Sequence, residues 1–268
     1  MGYGTALVRR PSRRLAEGLL TYRERVPVDI ALARTQHDGY RQALADCGWT
    51  VREVAAADDH PDSVFVEDTV VYCDGLAVLT RPGAPQRRGE LAGTERAVAD
   101  AGVALVRIDA PGTLDGGDVL QVGSMVYVGI GGRTNVEGGR QLGAHLAGRS
   151  RTVVPVSLGP VLHLKSAVTA LPDGTVLAER GAGLVDLAAF RSVREVEEES
   201  GCHVVPLGDD RVLIAASAPR TATLLASLGL DPIVVDISEF EKLEGCVTCL
   251  NVLLPDRWPR PGAPPRRW

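Results

Sequence analysis

A cysteine close to the end of the chain, Cys249, lies in Glu244-Gly245-Cys246-Val247-Thr248-Cys249, against the apolar run Leu250-Asn251-Val252-Leu253-Leu254. A thiol held where a loop meets such a run can serve as a nucleophile once a neighbouring base or cation favours the thiolate. His163, set between leucines in Leu162-His163-Leu164-Lys165, is the matching acid/base candidate. The remaining histidines, His37, His60, His145 and His203, fall in helical, loop or strand-edge contexts without that apolar clamp. Each candidate has a plain alternative. Free cysteines are commonly buried for packing, and a core histidine satisfied by one hydrogen bond needs no catalytic role.

Carboxylates come in two groups. Asp62-Ser63-Val64-Phe65-Val66-Glu67-Asp68-Thr69 carries three acids in a strand-like run, and alternation would send Glu67 and Asp68 to opposite faces. A carboxylate on a buried face costs several kcal/mol unless a cation or backbone donors meet it, so this segment demands a positive partner, either an arginine or a cationic ligand. The second group, Leu114-Asp115-Gly116-Gly117-Asp118, sets two acids around a glycine pair. Such a loop is commonly a turn, yet the missing Cβ atoms also permit close approach by a ligand. Arg87 and Arg133 each follow a Pro/Gly-rich loop and are candidates for a bidentate clamp on a ligand carboxylate. One thiol, one imidazole and several acids together suggest cysteine chemistry on a small cationic substrate.

The composition sets outer limits. The 268 residues are 45% hydrophobic, enough to bury a sizeable core. A net charge of −5 and a pI near 5.6 give no electrostatic reason to expect nucleic acid as a partner. The first residues lack the apolar core and cleavage site of a signal peptide, and no run approaches about 18 apolar residues. A cytoplasmic protein without membrane contact is expected, as a monomer or homodimer. Five cysteines form an odd, scattered set, which argues against a disulfide framework. Cys246 and Cys249 match a C-x-x-C spacing, but a zinc site needs about two further ligands and a redox pair normally opens a helix. Neither a metal nor a cofactor is expected.

Positioning those groups requires a scaffold, and short β-branched runs alternating with longer segments of helical period indicate an α/β protein. Strands are expected at 6–9, 64–72, 76–80, 105–108, 119–122, 125–129, 152–156, 167–170, 175–178, 203–206, 212–215, 233–237 and 247–254. The last would put Cys249, Asn251 and Leu253 on one face. Helices are expected at 31–47, 89–101, 136–146, 186–200 and 219–228. Five helices at a spacing of about 50 residues form a structural repeat without a repeated motif of letters. Periodicity alone allows a doubly wound sheet or a radial array, although no dinucleotide fingerprint or Walker loop follows the first strand. The segment 255–268, rich in proline and arginine, reads as a disordered tail after one domain spanning 1–254.

Six segments, in order, resemble the dimethylarginine dimethylaminohydrolase family of the pentein group of guanidine-modifying enzymes. They are Pro61 to Asp68, Arg81-Pro82-Gly83-Ala84-Pro85, Leu114 to Leu120, Arg133-Thr134-Asn135, Leu162 to Ser166 and Gly245 to Cys249. The resemblance covers about residues 5 to 254 and implies a five-bladed α/β propeller, with five ββαβ-type modules around a pseudo-fivefold axis and the active site in the central channel. It implies Cys249 as nucleophile, His163 as general acid/base and Asp115 as the acid that orients the histidine or holds substrate nitrogen. Asp62, Glu67 and Asp68 would contact the guanidinium, Arg87 and Arg133 the α-carboxylate, and the backbones of Leu20 and Leu243 the α-amino group.

The implied activity is hydrolysis of mono- and dimethylated arginine to citrulline and an alkylamine through a covalent S-alkylthiouronium. Arginine deiminase and amidinotransferase are the rival enzymes, and a non-catalytic pentein that only binds is the rival of another class. The acids that favour the cation should raise the Cys249 pKa in the empty site.

Overall fold

The computed structural model describes residues 3–256. Among them fifteen strands form five three-stranded sheets, and each sheet repeats one rule: its middle strand pairs antiparallel with one neighbour and parallel with the other. The rule follows from the connections, since a short turn can return only an antiparallel strand whereas a parallel one needs a crossover.

The first sheet centres on β1 (Gly4–Val8), parallel to β2 (Trp49–Glu53) through α1 (Ile30–Asp46). β3 (Val70–Cys73) and β4 (Leu76–Leu79) form a hairpin, and α2 (Leu91–Asp100) leads to β5 (Ala104–Arg107). The third sheet repeats this with β6 (Val119–Val122), β7 (Met125–Ile130), α3 (Val136–Leu146) and β8 (Thr152–Ser157). In the fourth, β9 (Val168–Ala170), β10 (Val176–Glu179) and β11 (Val193–Val196) are joined without an α-helix. The fifth holds β12 (Val204–Gly208), β13 (Arg211–Ala215), α4 (Pro219–Ser227) and β14 (Asp231–Val235). After the short α5 (Ser238–Glu241), β15 (Val252–Pro255) returns to pair antiparallel with β1. The first and last strands thus close the array, as a five-bladed α/β propeller requires.

Local chemistry sets the boundaries. Asp29 caps α1 by accepting from the Ala31 and Leu32 amides at 2.8 and 3.0 Å, and Ala33, Gln36, His37, Tyr40 and Leu44 place one face of the helix in the core. Asn135 caps α3 through the Gly138 amide at 2.8 Å. A Cβ at Gly138 would stand 1.9 Å from the Thr113 oxygen, so only glycine lets α3 sit against the loop that leads to Asp115.

Four expectations need correction. The helix expected at 186–200 is instead a 3-10 turn at Leu187–Ala189, strand β11 and a second 3-10 turn at Glu199–Cys202. The strand expected at 64–72 begins only at Val70, preceded by 3-10 turns Pro61–Val64 and Val66–Thr69. Likewise 247–251 is a series of turns, and β15 starts at Val252. In the last two cases apolar β-branched residues are buried by the propeller core while the backbone bends, so burial imitated strand periodicity. Pro255 also ends β15 opposite Gly4 instead of opening a tail; residues 257–268 of the expected tail lie outside the described residues.

Candidate active site

The glycine pair of the 115–118 loop decides how the groups converge. A Cβ on Gly116 would approach the Glu67 carbonyl oxygen to 2.0 Å, and one on Gly117 would meet His163 Nδ1 at 2.7 Å and Asp68 Oδ1 at 2.8 Å. Two glycines are therefore what allow the 3-10 turns of 61–69, the Asp115 loop and the His163 segment to touch. Side-chain oxygens of Asp68 and Asp115 and a nitrogen of His163 lie within 4.8 Å of one another, all buried.

Asp115 is fully buried. Its Oδ1 accepts from the Gly83 amide at 2.8 Å and its Oδ2 meets His163 Nε2 at 3.0 Å. Asp68 Oδ1 accepts from the Gly117 amide at 2.9 Å and stands 3.9 Å from His163 Nε2, while Oδ2 pairs with Arg87. Burial opposes a charge on His163, but Asp68, Asp118 and Asp115 outweigh it and raise its pKa to about 9. Burial alone would likewise raise Asp68; His163 and Arg87 instead hold it well below the ordinary carboxylate range. An imidazolium locked among anions is the result.

Glu67 faces elsewhere. Its carboxylate accepts from Thr248 Oγ1 at 2.8 Å and pairs with Lys165 at 2.5 Å, and burial lifts its pKa to about 7 against the pull of Lys165. These three residues line a cavity of about 590 Å³ together with Tyr72, Asn251 and Pro255. Glu67 and Asp68 thus take different partners, from a 3-10 turn and not from the alternation of a strand.

The Glu67 amide donates to the Cys249 carbonyl at 3.2 Å, which brings the 246–249 turn to the acids. Cys249 is 8% exposed, and its sulfur lies 3.2 Å from that of Cys246. The hydrogen bond to Cys246, burial, and the charges of Cys246, Glu67 and Asp68 all raise the Cys249 pKa. Cys246 moves the opposite way, lowered by the Cys249 hydrogen bond and by the charge of His203 despite its burial.

Asp62 and the two leucines form a separate corner. Asp62 Oδ1 accepts from the Leu19 amide at 3.0 Å, and a Cβ on Gly18 would lie 2.9 Å from that oxygen and 3.5 Å from Leu243 Cδ2. Leu20 packs on the same apolar cluster as Leu243. Glu244 ties this corner to the thiol turn, because its carboxylate accepts from the amides of Thr21, Tyr22 and Arg23 at 2.9, 2.5 and 2.8 Å.

The two arginines differ. Arg87 is buried, with Nε and Nη2 bidentate on Glu90 at 3.0 and 2.8 Å, and further bonds to Asp68 and to the Phe65 and Asp62 carbonyls. Arg133 is held loosely, 3.9 Å from Asp115 and 3.3 Å from Thr21 Oγ1. A cavity of about 510 Å³ opens beside Tyr22, Arg23, Ser166, His203 and Gly245, and carries the carboxylates of Glu198, Glu199, Glu241 and Glu244. Such a mouth suits a cation.

Sequence reasoning passed over Asp118, Glu90, Glu244 and His203. Asp118 accepts from the Leu164 amide at 2.9 Å and from Thr134 Oγ1 at 2.6 Å, and so fixes the backbone next to His163; the second acid of the Asp-Gly-Gly-Asp string was its available signal. His203 offered none, since only the fold sets it near Cys246.

No family model matches the chain. It is 58% identical over 250 residues, 93% of this chain and 96% of the relative, to the N(G),N(G)-dimethylarginine dimethylaminohydrolase of Streptomyces coelicolor. Among solved structures, a variant dimethylarginine dimethylaminohydrolase crystallised as an adduct with S-methyl-L-thiocitrulline superposes with a TM-score of 0.87 at 35% identity, covering 94% of this chain and 99% of the other. A Pseudomonas aeruginosa enzyme of that name, a cysteine-to-serine variant complexed with citrulline, gives 0.86 at 35% identity with the same coverage.

Proposed function

The chain belongs to the dimethylarginine dimethylaminohydrolase family, and from that premise we propose that it hydrolyses Nω-methylated arginine to citrulline and methylamine or dimethylamine through a covalent intermediate on Cys249. The observation that carries this reading is the buried contact of 3.0 Å between His163 and Asp115, with Asp68 in the same cluster and the adjoining Glu67 amide bonded to the Cys249 carbonyl.

The guanidinium is a poor electrophile because three nitrogens share its charge. Carboxylates fix its plane and leave one face open, the near-attack arrangement that lowers the barrier most cheaply. Asp68, Asp115 and Glu67 take that part, with Asp62 nearer the Leu19 corner. Arg133, with loosely held donors, receives the α-carboxylate; Arg87, expected to share that part, has its donors engaged by Glu90, Asp68 and two carbonyls and instead holds Asp68 in place. The backbones of Leu20 and Leu243 receive the α-amino group.

Bound cation offsets the negative field that keeps the Cys249 proton in place; that proton passes to solvent, where the released amine later takes one up, and the thiolate adds to the central carbon. His163, protonated in the empty site, gives its proton to the departing amine, leaving an S-alkylthiouronium. The neutral imidazole then takes a proton from water, whose oxygen attacks the same carbon; citrulline leaves and the thiol is restored. One water is consumed and one amine released per turnover. A cytoplasmic monomer or homodimer that needs no metal or cofactor completes the proposal, resting on acidic composition and scattered cysteines.

Purified protein incubated separately with arginine, monomethylarginine and dimethylarginine should release citrulline with methylamine or dimethylamine, and Cys249→Ser should abolish this by about 10³-fold or more. Ammonia from arginine alone would mean a deiminase, amidino transfer to an added amine an amidinotransferase, and tight binding without product a non-catalytic pentein.

A further inference from the structure

The second thiol of the turn is not used by that mechanism. Cys246 and Cys249 are both buried, 4% and 8% exposed, with their sulfurs 3.2 Å apart. The Cys249 amide donates to the Cys246 carbonyl at 3.1 Å, closing a four-residue turn. Such a turn keeps its end Cα atoms within about 7 Å, inside the span of about 4.4–6.8 Å that a disulfide bridges. Closing the sulfurs to about 2.0 Å is then a side-chain rotation, without backbone movement between blades.

We propose that Cys246 and Cys249 form an oxidative modification site, in which a hydroperoxide converts the two thiols into a disulfide and reversibly removes the nucleophile.

The selectivity lies in the surroundings. The charge of His203 acts on Cys246, whereas Glu67 and Asp68 act on Cys249. His203 and Gly245, the residue before Cys246, both line the cavity of about 510 Å³. The other thiols differ: burial raises the pKa of Cys47 and lifts Cys73 to about 11, and Cys202, although it too neighbours His203, is 1% exposed and donates to the Glu199 carbonyl at 2.9 Å. A protonated, buried thiol is inert toward peroxide.

The electron count closes. The Cys246 thiolate attacks one peroxide oxygen, the O–O bond breaks, and the leaving hydroxide or alkoxide takes the proton of Cys249. The Cys249 sulfur then displaces hydroxide from the Cys246 sulfenic acid, forming S–S, and that hydroxide leaves as water with the proton first given up by Cys246. Two thiols lose two electrons and one hydroperoxide is reduced.

Only the loss of activity rests on Cys249 being the nucleophile; the bond itself does not. Treatment of the whole protein with hydrogen peroxide should lower turnover by about tenfold or more, with recovery on adding dithiothreitol. The peptide spanning Leu243 to Arg257 should weigh two hydrogens less and resist alkylation until reduced. In Cys246→Ser the same treatment should leave the buried, protonated Cys249 a free thiol, with no loss of two hydrogens and no dithiothreitol-reversible fall in turnover. An unchanged peptide mass, or sulfinic acid at Cys249 with Cys246 still free, would overturn the proposal, and the wild-type mass decides this even if the variant fails to fold. Unchanged activity in disulfide-bonded protein would instead overturn the nucleophile reading while leaving the bond standing.

Discussion

Two buried imidazoles serve the same site under opposite conditions. His163, 4% exposed, is gripped by carboxylates: Asp115 at 3.0 Å, Asp68 at 3.9 Å, and Asp118 through the neighbouring amide of Leu164. His203, 7% exposed, meets the Ser166 carbonyl at 2.9 Å and the thiols of Cys202 and Cys246. Burial disfavours charge on both, and in both the neighbours win, so both pKa values rise. What differs is who benefits. Around His163 the partners are carboxylates, and their charge favours the imidazolium. Around His203 the partner Cys246 is itself titratable, so the two shift each other, the imidazole upward and the thiol downward. On the proposed mechanism one imidazole serves as an acid, and on the proposed oxidation the other is a charge that favours a thiolate.

The largest expected effect tests the first role. His163→Gln should lower kcat by about 10² to 10⁴-fold, read in the citrulline assay, with the Cys249 thiol still open to alkylation. A loss below about tenfold would erase the distinction between the imidazoles. His203→Gln should cost turnover about tenfold or less, and should move the pH midpoint of thiol alkylation upward, because the charge that depresses Cys246 is gone. Turnover abolished as fully as in the His163 variant would break the comparison.

A third effect, on stability instead of turnover, concerns Glu67, whose carboxylate bonds Thr248 of the thiol turn. Its pKa is raised from 4.5 to about 7 by burial. A carboxyl raised on folding binds its proton more tightly in the native state, so stability present below the unfolded value is lost as pH climbs toward 7. Glu67→Gln should remove this loss: the urea midpoints of variant and wild type should diverge in favour of the variant from pH 4.5 to 7 and then run parallel, by up to roughly 3 kcal/mol. His163 adds a decline of the same sign as pH rises through about 9. A wild type that instead gained stability between pH 5 and 7 relative to Glu67→Gln would contradict the burial of that carboxyl.

Much of the molecule can be read from residue types because certain residues have few uses. Asp115-Gly116-Gly117-Asp118 announced a close approach, and the clashes that a Cβ would meet at Gly116 and Gly117 are the reason. The helices at 136–146 and 219–228 were legible since Asn135 and Pro219 mark their starts and their apolar periods are clear. Residues 64–69 and 247–251 were misread because both are buried throughout yet curl as turns, and period alone does not separate a buried bend from a buried strand.

Composition, spacing and local signals by themselves determined an acidic α/β chain of repeating modules with a thiol, an imidazole and two acid clusters fit for a cationic substrate. Only the tertiary structure decided which charges meet: that Arg87 is engaged by Glu90 while Arg133 is loosely held, that Asp118 braces the His163 segment, and that His203 lies within electrostatic reach of Cys246. The physical reason is distance. Pairing in a propeller joins segments from different blades, and a Coulomb interaction depends on a separation in space that no spacing along the chain encodes.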